Sequence, residues 1–244
     1  ITRLKMANNL KILILAAGKG TRMNSSLPKV LHHLNDKSML EHVLEQSKLL
    51  NPKKIFILIN KEMRFVTKLF PKENFLIQQP QLGTGHAVMT FLKKVKISNN
   101  EKLLVLYGDN PLVEKKDIQL MFEKIKKNNL VLLGFKKINN QSYGIIVKNN
   151  KGIDKIVEFK EASKKERKIN ICNSGMMAFD NKALKLIKNI KNNNKKKEYY
   201  LTDIVEISKK NGLKINLVLS DSEKNAVGVN SQIELIEAEQ IMQE

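Results

Sequence analysis

The chain has 244 residues, and 44 Lys and Arg against 24 Asp and Glu give it a formal charge of +20. That length suits one large domain, and a hydrophobic content of 42% supplies a core, which excludes a disordered chain. The apolar runs at 12–17 and 130–133 are far shorter than the ~20 residues a bilayer span needs, and a single Cys172 excludes an internal disulfide and a Cys-based zinc site.

Residues 1–9 read as a polar leader, with Met6 as a natural start behind Ile1. Nothing there resembles a signal peptide, and a reduced, cytoplasmic setting is expected. Leu10 to Ala16 is almost wholly apolar, as a buried parallel strand should be. A loop rich in Gly, Ser and Asn runs to Leu27. Met39 to Leu50 places Met39, Leu40, Val43, Leu44 and Ser47 on one helical face. Strands are expected at Lys54–Ile59, Phe75–Gln78, Leu103–Tyr107 and Leu130–Phe135, with helices from Thr84, as cap, to Lys94 and from Lys115 to Asn128. This alternation predicts an α/β, Rossmann-like, doubly wound mixed sheet.

Beyond a join near residue 140 the pattern changes. Ser142–Lys148, Lys155–Phe159 and Ile171–Phe179 read as strands, Asn181–Ile190 and Leu201–Lys210 as helices, Lys214–Leu219 as a last strand and Ile233–Met242 as a terminal helix. The second half is expected to extend the first sheet with antiparallel strands, forming a small annex over a cleft. The predicted organisation is one domain over 10–231, with a first part at about 10–140, a second part at about 141–231, and a C-terminal helix at 232–244.

The positive charge is carried by Lys, with Arg only at positions 3, 22, 64 and 167. Lys is scattered, clustering only at 164–168 and 195–197, and no aromatic residues interleave with a basic stripe. The pattern predicts no nucleic-acid partner and no membrane, while a positive surface still draws polyanionic small molecules.

Three segments carry chemistry. Leu15-Ala16-Ala17-Gly18-Lys19-Gly20-Thr21-Arg22-Met23, with Pro28-Lys29, follows a buried strand, where open α/β sheets bind ligands. It is neither a P-loop nor a dinucleotide fingerprint, since Met23 stands where the third Gly would be. Its glycines still let backbone N–H groups approach phosphate oxygens, and Arg22 and Lys29 add positive charge. Gln81-Leu82-Gly83-Thr84-Gly85-His86-Ala87 is a second glycine-rich turn, where Gln78 is placed to read a base edge and His86 is an ordinary first-turn residue with no triad partner. Tyr107-Gly108-Asp109 puts a carboxylate at a strand's end, where it either binds a metal or caps a turn. Mg²⁺ needs few protein ligands, and Gly228-Val229-Asn230 offers a second oxygen.

Together with Glu198-Tyr199-Tyr200-Leu201-Thr202-Asp203, these segments resemble the nucleotidyltransferases that make nucleotide-sugars. The similarity runs from about Leu10 to the C-terminus, and it implies a nucleotide-binding part at about 10–140 and a sugar-binding part at about 141–231. It is strongest to the uridyltransferase half of the bifunctional bacterial family that makes UDP-N-acetylglucosamine, a precursor of cell-wall peptidoglycan and lipopolysaccharide. The resemblance implies transfer of UMP from UTP to N-acetylglucosamine 1-phosphate with Mg²⁺ as cofactor. It implies that Leu15, Ala16, Ala17, Gly18, Gln78, Gly83 and Thr84 hold the uridine, and that Arg22 and Lys29 grip the triphosphate. Asp109 and Asn230 would bind the metal, with Tyr107 and Gly108 shaping that site, and Gly144, Glu158 and Asn173 would contact the amino sugar. Another sugar 1-phosphate as acceptor, or a catalytically silent nucleotide-sugar binding module, are the alternatives.

The sequence departs from that family's pattern at three places. Ile145 follows Tyr143-Gly144 where Arg is usual, and Asn225-Ala226-Val227 precedes Gly228 where an acidic residue is usual. The hexapeptide repeats of the family's trimer-forming β-helix are missing, so neither acetyltransferase activity nor a trimer is expected, and a monomer is.

Overall fold

Successive side chains of the first strand, β1 (Ala7–Leu15), enter two different cores. Leu10, Ile12 and Ile14 join one apolar cluster, while Leu13 and Leu15 join the other. A strand buried on both faces must lie inside a sheet covered by two helical layers, and the computed structural model, which describes residues 7–137 and 143–243, has that architecture. The first six residues of the expected leader, the join near 140 and Ser142 lie outside the described residues.

In chain order β1 is followed by a two-stranded ribbon, β2 (His33–Leu34) and β3 (Lys37–Ser38), and helix α1 (Met39–Lys48). Strand β4 (Pro52–Asn60), short helix α2 (Val66–Leu69), strand β5 (Asn74–Gln78), helix α3 (Thr84–Lys94) and strand β6 (Lys102–Tyr107) come next. Helix α4 (Lys115–Ile125), strand β7 (Leu130–Lys136), the hairpin β8 (Gly144–Asn149) and β9 (Gly152–Glu158), and strand β10 (Ile171–Phe179) continue the chain. It ends with α5 (Asn181–Leu186), α6 (Ile204–Lys210), β11 (Ile215–Leu219), α7 (Glu223–Ala226) and α8 (Gln232–Gln243).

The main sheet runs β11-β7-β10-β6-β1-β4-β5, with the β8–β9 hairpin leaving it through the pair Cys172 and Ile145. α1 and α4 cover one face through Leu40, Val43, Leu44, Ile118, Met121 and Ile125. α3, α5 and α6 cover the other through Val88, Phe91, Leu184, Ile204 and Val205. α1 starts at a reciprocal cap: the Glu41 N–H donates to Ser38 Oγ at 3.3 Å, and the Ser38 N–H donates to Glu41 Oε2 at 2.7 Å.

The doubly wound sheet is as expected, but the second half does more than extend it. β10 is inserted antiparallel between β6 and β7, and β11 pairs parallel to β7 at the edge. Met176 to Phe179 are buried on both faces, so side-chain pattern marks β10 as central without revealing which strands flank it. Several ends also move. β1 begins at Ala7 rather than Leu10, α4 stops at Ile125, and the expected helices at Asn181–Ile190 and Leu201–Lys210 each split into an α-helix and a 3₁₀ turn.

Parallel strands place the site. β4 and β5 lie on one side of β1 and β6 lies on the other, so the winding reverses between β1 and β6. Leu15 stands in register with Tyr107 at that reversal, and their loops open a crevice at the carboxyl ends of both strands.

Candidate active site

The crevice holds a cleft of about 500 Å³. Leu15, Ala16, Ala17, Gly18, Arg22, Lys29, Gln78, Gly83, Thr84, Tyr107, Asp109 and Asn230 all line it. The first loop turns at Gly20, whose φ of +61° is left-handed and whose missing Cβ makes room for Lys29: a Cβ there would stand 2.7 Å from that of Lys29. A 3₁₀ turn at Thr21–Met23 then buries Met23 and leaves Arg22 exposed at the rim.

Gly108 does not line the cleft. Its N–H donates to Leu15 O at 2.9 Å, and an added Cβ would meet Val30, Ala16 and Leu15 O. It supports the first loop from behind.

On the far side of the loop, Lys29 Nζ donates to Asp109 Oδ2 and, at 2.9 Å, to Asn230 Oδ1. Asp109 leaves the end of β6, and Asn230 is brought to it by backbone pairing, the Val229 N–H donating to Asp109 O at 2.8 Å. Two residues 121 positions apart therefore aim hard oxygens at one cationic centre. This donor set fits Mg²⁺, which takes one or two protein oxygens and fills its shell with water and phosphate. Among the described residues no group of three or more His, Cys, Asp or Glu forms a richer metal cage.

The second glycine-rich turn is strapped to the Glu198–Leu201 segment. The Tyr199 N–H donates to Leu82 O at 2.8 Å, and the Gly85 N–H donates to Tyr199 O at 2.7 Å. A Cβ on Gly83, at φ +99°, would stand 2.7 Å from Tyr199 O. Thr84 does not cap α3: Gly83 holds the cap position, and the Thr84 hydroxyl accepts the Leu201 N–H at 3.1 Å. That hydroxyl is also bonded to Tyr107, whose own pKa is pushed far up by burial.

Gly144, Glu158 and Asn173 sit together beyond Tyr107. Gly144 pairs with Glu158 across the hairpin, and an added Cβ on Gly144 would lie 3.5 Å from Glu158 Oε1 and 3.9 Å from Asn173 Cβ. Burial and the nearby Glu161 raise the Glu158 pKa. Asn173 Oδ1 is buried with no hydrogen-bond donor among the described residues, an acceptor that a ligand hydroxyl or amide could satisfy. Ile145, the departure beside this trio, is fully buried against Val157 and Cys172.

Three residues exceed the sequence reading. Gln81 reaches across to donate to Ala17 O, and Glu198 lines the cleft, although both stand in motifs already singled out. His86 is more than a first-turn residue, because its Nδ1 lies 3.2 Å from Gln78 Nε2.

Residues 12–167, more than half of the chain, match the model of the MobA-like NTP transferase domain. The chain is 39% identical over 237 residues to the bifunctional protein GlmU of Ruegeria sp. (strain TM1040), an alignment covering 95% of this chain and 52% of that protein. It is 42% identical over 239 residues to the bifunctional protein GlmU of Campylobacter jejuni subsp. doylei, covering 96% of this chain and 54% of that one. The chain thus spans about half the length of the curated relatives it matches. Its fold is shared with a UDP-glucose pyrophosphorylase solved with UDP-glucose, at a TM-score of 0.76 and 20% identity, covering 96% of this chain and 98% of that one. It is shared too with a putative glucose-1-phosphate thymidylyltransferase from Bacillus anthracis, at a TM-score of 0.74 and 20% identity, covering 96% of both chains.

Proposed function

This chain belongs to the MobA-like NTP transferase family, and from that premise we propose that it transfers UMP from UTP to N-acetyl-α-D-glucosamine 1-phosphate, releasing UDP-N-acetylglucosamine and pyrophosphate. The observation that carries this reading is the convergence on one cleft of a glycine-turned backbone, Arg22, Lys29 and the Asp109–Asn230 oxygen pair. The motifs that resemble the uridyltransferase family, taken with 39–42% identity to the GlmU proteins, support uridyl transfer over other nucleotidyl transfers.

The chemistry needs little from the protein beyond placement and charge. A phosphate oxygen of the sugar phosphate attacks the α-phosphorus of UTP in line. The bond from that phosphorus to the bridging oxygen breaks, and pyrophosphate leaves with the electron pair. The attacking oxygen is already anionic at pH 7, so no general base is required, and rate comes from positioning and charge neutralisation. Backbone N–H groups of the first loop cradle the phosphates, Gln78, Gly83 and Thr84 hold the base, and Arg22 and Lys29 offset the charge that develops on the leaving group. Asp109 and Asn230 would hold Mg²⁺, whose charge when bound neutralises the reacting phosphates. Gly144, Glu158 and Asn173, whose Oδ1 has no donor among the described residues, would contact and select the acetylated sugar.

Pyrophosphate release from UTP and Mg²⁺ tests the reading, with N-acetylglucosamine 1-phosphate compared against glucose 1-phosphate. Fast release with the acetylated sugar alone is expected. Equal release with glucose 1-phosphate would remove the assignment of the sugar, and release with neither would remove the reaction.

A further inference from the structure

His86 lies in the first turn of α3, does not line the cleft, and has no part in the transfer described above. Its surroundings nonetheless give it a defined task. Gln78, at the end of β5, is only 4% exposed and lines the cleft. Its Nε2 lies 3.1 Å from Gly83 O and 3.2 Å from His86 Nδ1. A carbonyl oxygen can only accept, so the amide nitrogen, not the amide oxygen, must face Gly83. The second N–H of the same nitrogen then points at His86.

Whether His86 can accept it depends on its protonation. Burial, and after it the positive charge of Lys93, lower the imidazole pKa from its usual value. A neutral ring has one bare nitrogen, and with Gln78 donating to Nδ1 the ring proton sits on Nε2. The Tyr199 ring lies beside the imidazole, tilted by 34° with centroids 6.1 Å apart. Both N–H groups of Gln78 are thus committed, and Oε1 is the one polar atom of its amide left for a ligand.

An acceptor at that point distinguishes bases. Uracil carries an N–H at N3 and can donate to it, whereas cytosine presents a bare N3 lone pair and would leave both acceptors unpaired. Sites built to make such a bond discriminate strongly against the analogue that cannot.

We propose that His86 is a positioning residue for base selection: by taking the second N–H of Gln78, it holds that amide with Oε1 toward the nucleotide and makes the site favour a base bearing an N3–H over cytosine. This rests on the reading of the cleft as a uridine nucleotide site.

The test compares UTP with CTP in the full chain. His86→Leu should lower the UTP-over-CTP ratio in kcat/KM by about tenfold, mostly by raising KM for UTP, with kcat little changed. His86→Asn, which can place an amide oxygen near the position of Nδ1, should restore most of the preference. An unchanged preference in His86→Leu, or no recovery in His86→Asn, would overturn the assignment. Because a variant could fail through misfolding, the unaltered protein supplies a second readout. Nitrogen-15 NMR of its imidazoles at pH 7 should find His86 protonated on Nε2 alone, and a proton on Nδ1 would refute the proposal without any substitution. A parent enzyme that itself treats UTP and CTP alike would instead overturn the uridine reading, a result separable from failure at His86.

Discussion

Buried carboxyl groups in this molecule follow their partners. Asp117, in the first turn of α4, is 3% exposed and receives one hydrogen bond, from Ser220 Oγ at 2.5 Å. Burial raises its pKa, and the bond from Ser220 only partly offsets that. A carboxyl whose folded pKa lies above its unfolded value holds its proton longer in the folded state, so stability falls as pH climbs from about 4 through the raised value. Asp117→Asn keeps an acceptor for Ser220 and removes the buried charge. The variant should be more stable than the parent at pH 7, by about 1 kcal/mol, with the difference vanishing toward pH 4. Urea denaturation at the two pH values measures this, and a variant less stable at pH 7 would mean that the charge is favoured by the helix N-terminus more than burial opposes it. The same accounting leaves His32 Nε2, Asn173 Oδ1, Asn181 Oδ1 and Ser208 Oγ buried without a partner among the described residues, and of these Asn173 Oδ1 is the one beside Gly144 and Glu158.

At the scale of elements, loops rather than strands decide the chemistry, and two glycines set their shapes. Gly83 has φ +99° and its α-carbon faces Tyr199 O. Gly83→Ala adds a methyl that would lie 2.7 Å from that oxygen and forces an L-residue into a left-handed conformation. Either the turn or the Glu198–Leu201 strap must shift, so KM for UTP should rise at least tenfold while the melting temperature falls by only a few degrees. Thermal denaturation beside steady-state kinetics separates these effects, and unchanged kinetics would free the turn from any role in nucleotide binding. The loops were also the most legible part of the sequence. Glycine spacing after an apolar run, Gln78 before a turn and Asp109 after a strand all carry local signals, and twelve of the residues that the family resemblance implied line one cleft. The second half does supply the antiparallel strand expected of it, but the place of that strand in the sheet and the parallel pairing of β11 were not legible. The burial of Met176 to Phe179 says only that β10 is central, because antiparallel insertion between β6 and β7 is fixed by long-range pairing that no local pattern records. Nor was the strap legible, since a backbone N–H of Tyr199 donating to Leu82 O leaves no mark on either side chain.

Across the whole molecule, stability and chemistry are divided between the two ends of one sheet. The cleft opens where β1 ends at Leu15, whereas Lys11 stands four residues earlier on the same strand, about 13 Å away along an extended chain. There Lys11 Nζ meets Glu101 Oε2 at 2.8 Å, and Lys53 Nζ meets Glu101 Oε1 at 2.7 Å. The Lys11 and Glu101 side chains are 11% and 4% exposed, so this is a buried pair, while Lys53 is 54% exposed and adds little. Burial alone would raise the Glu101 pKa, but hydrogen bonds from Lys11, Lys53 and Ser98 outweigh it and hold the carboxyl far below its usual range. Its contribution is therefore complete above about pH 4.3, the unfolded value, and is lost as pH falls through the depressed one. Glu101→Gln leaves the Lys11 ammonium buried with a neutral partner. Removing one member of such a pair costs about 3–5 kcal/mol, and the remaining bond from Lys11 to Lys96 O, at 2.8 Å, places the expected loss near the lower figure. Because the pair lies at the opposite end of the sheet from the glycine-rich loops that line the cleft, KM for UTP and kcat should stay within twofold of the parent at 25 °C. Denaturant unfolding and the pyrophosphate assay, run on one preparation, read both quantities. A stable variant would mean that the triad is solvated despite its burial, and a loss of kcat in still-folded protein would mean that the two ends of β1 are coupled.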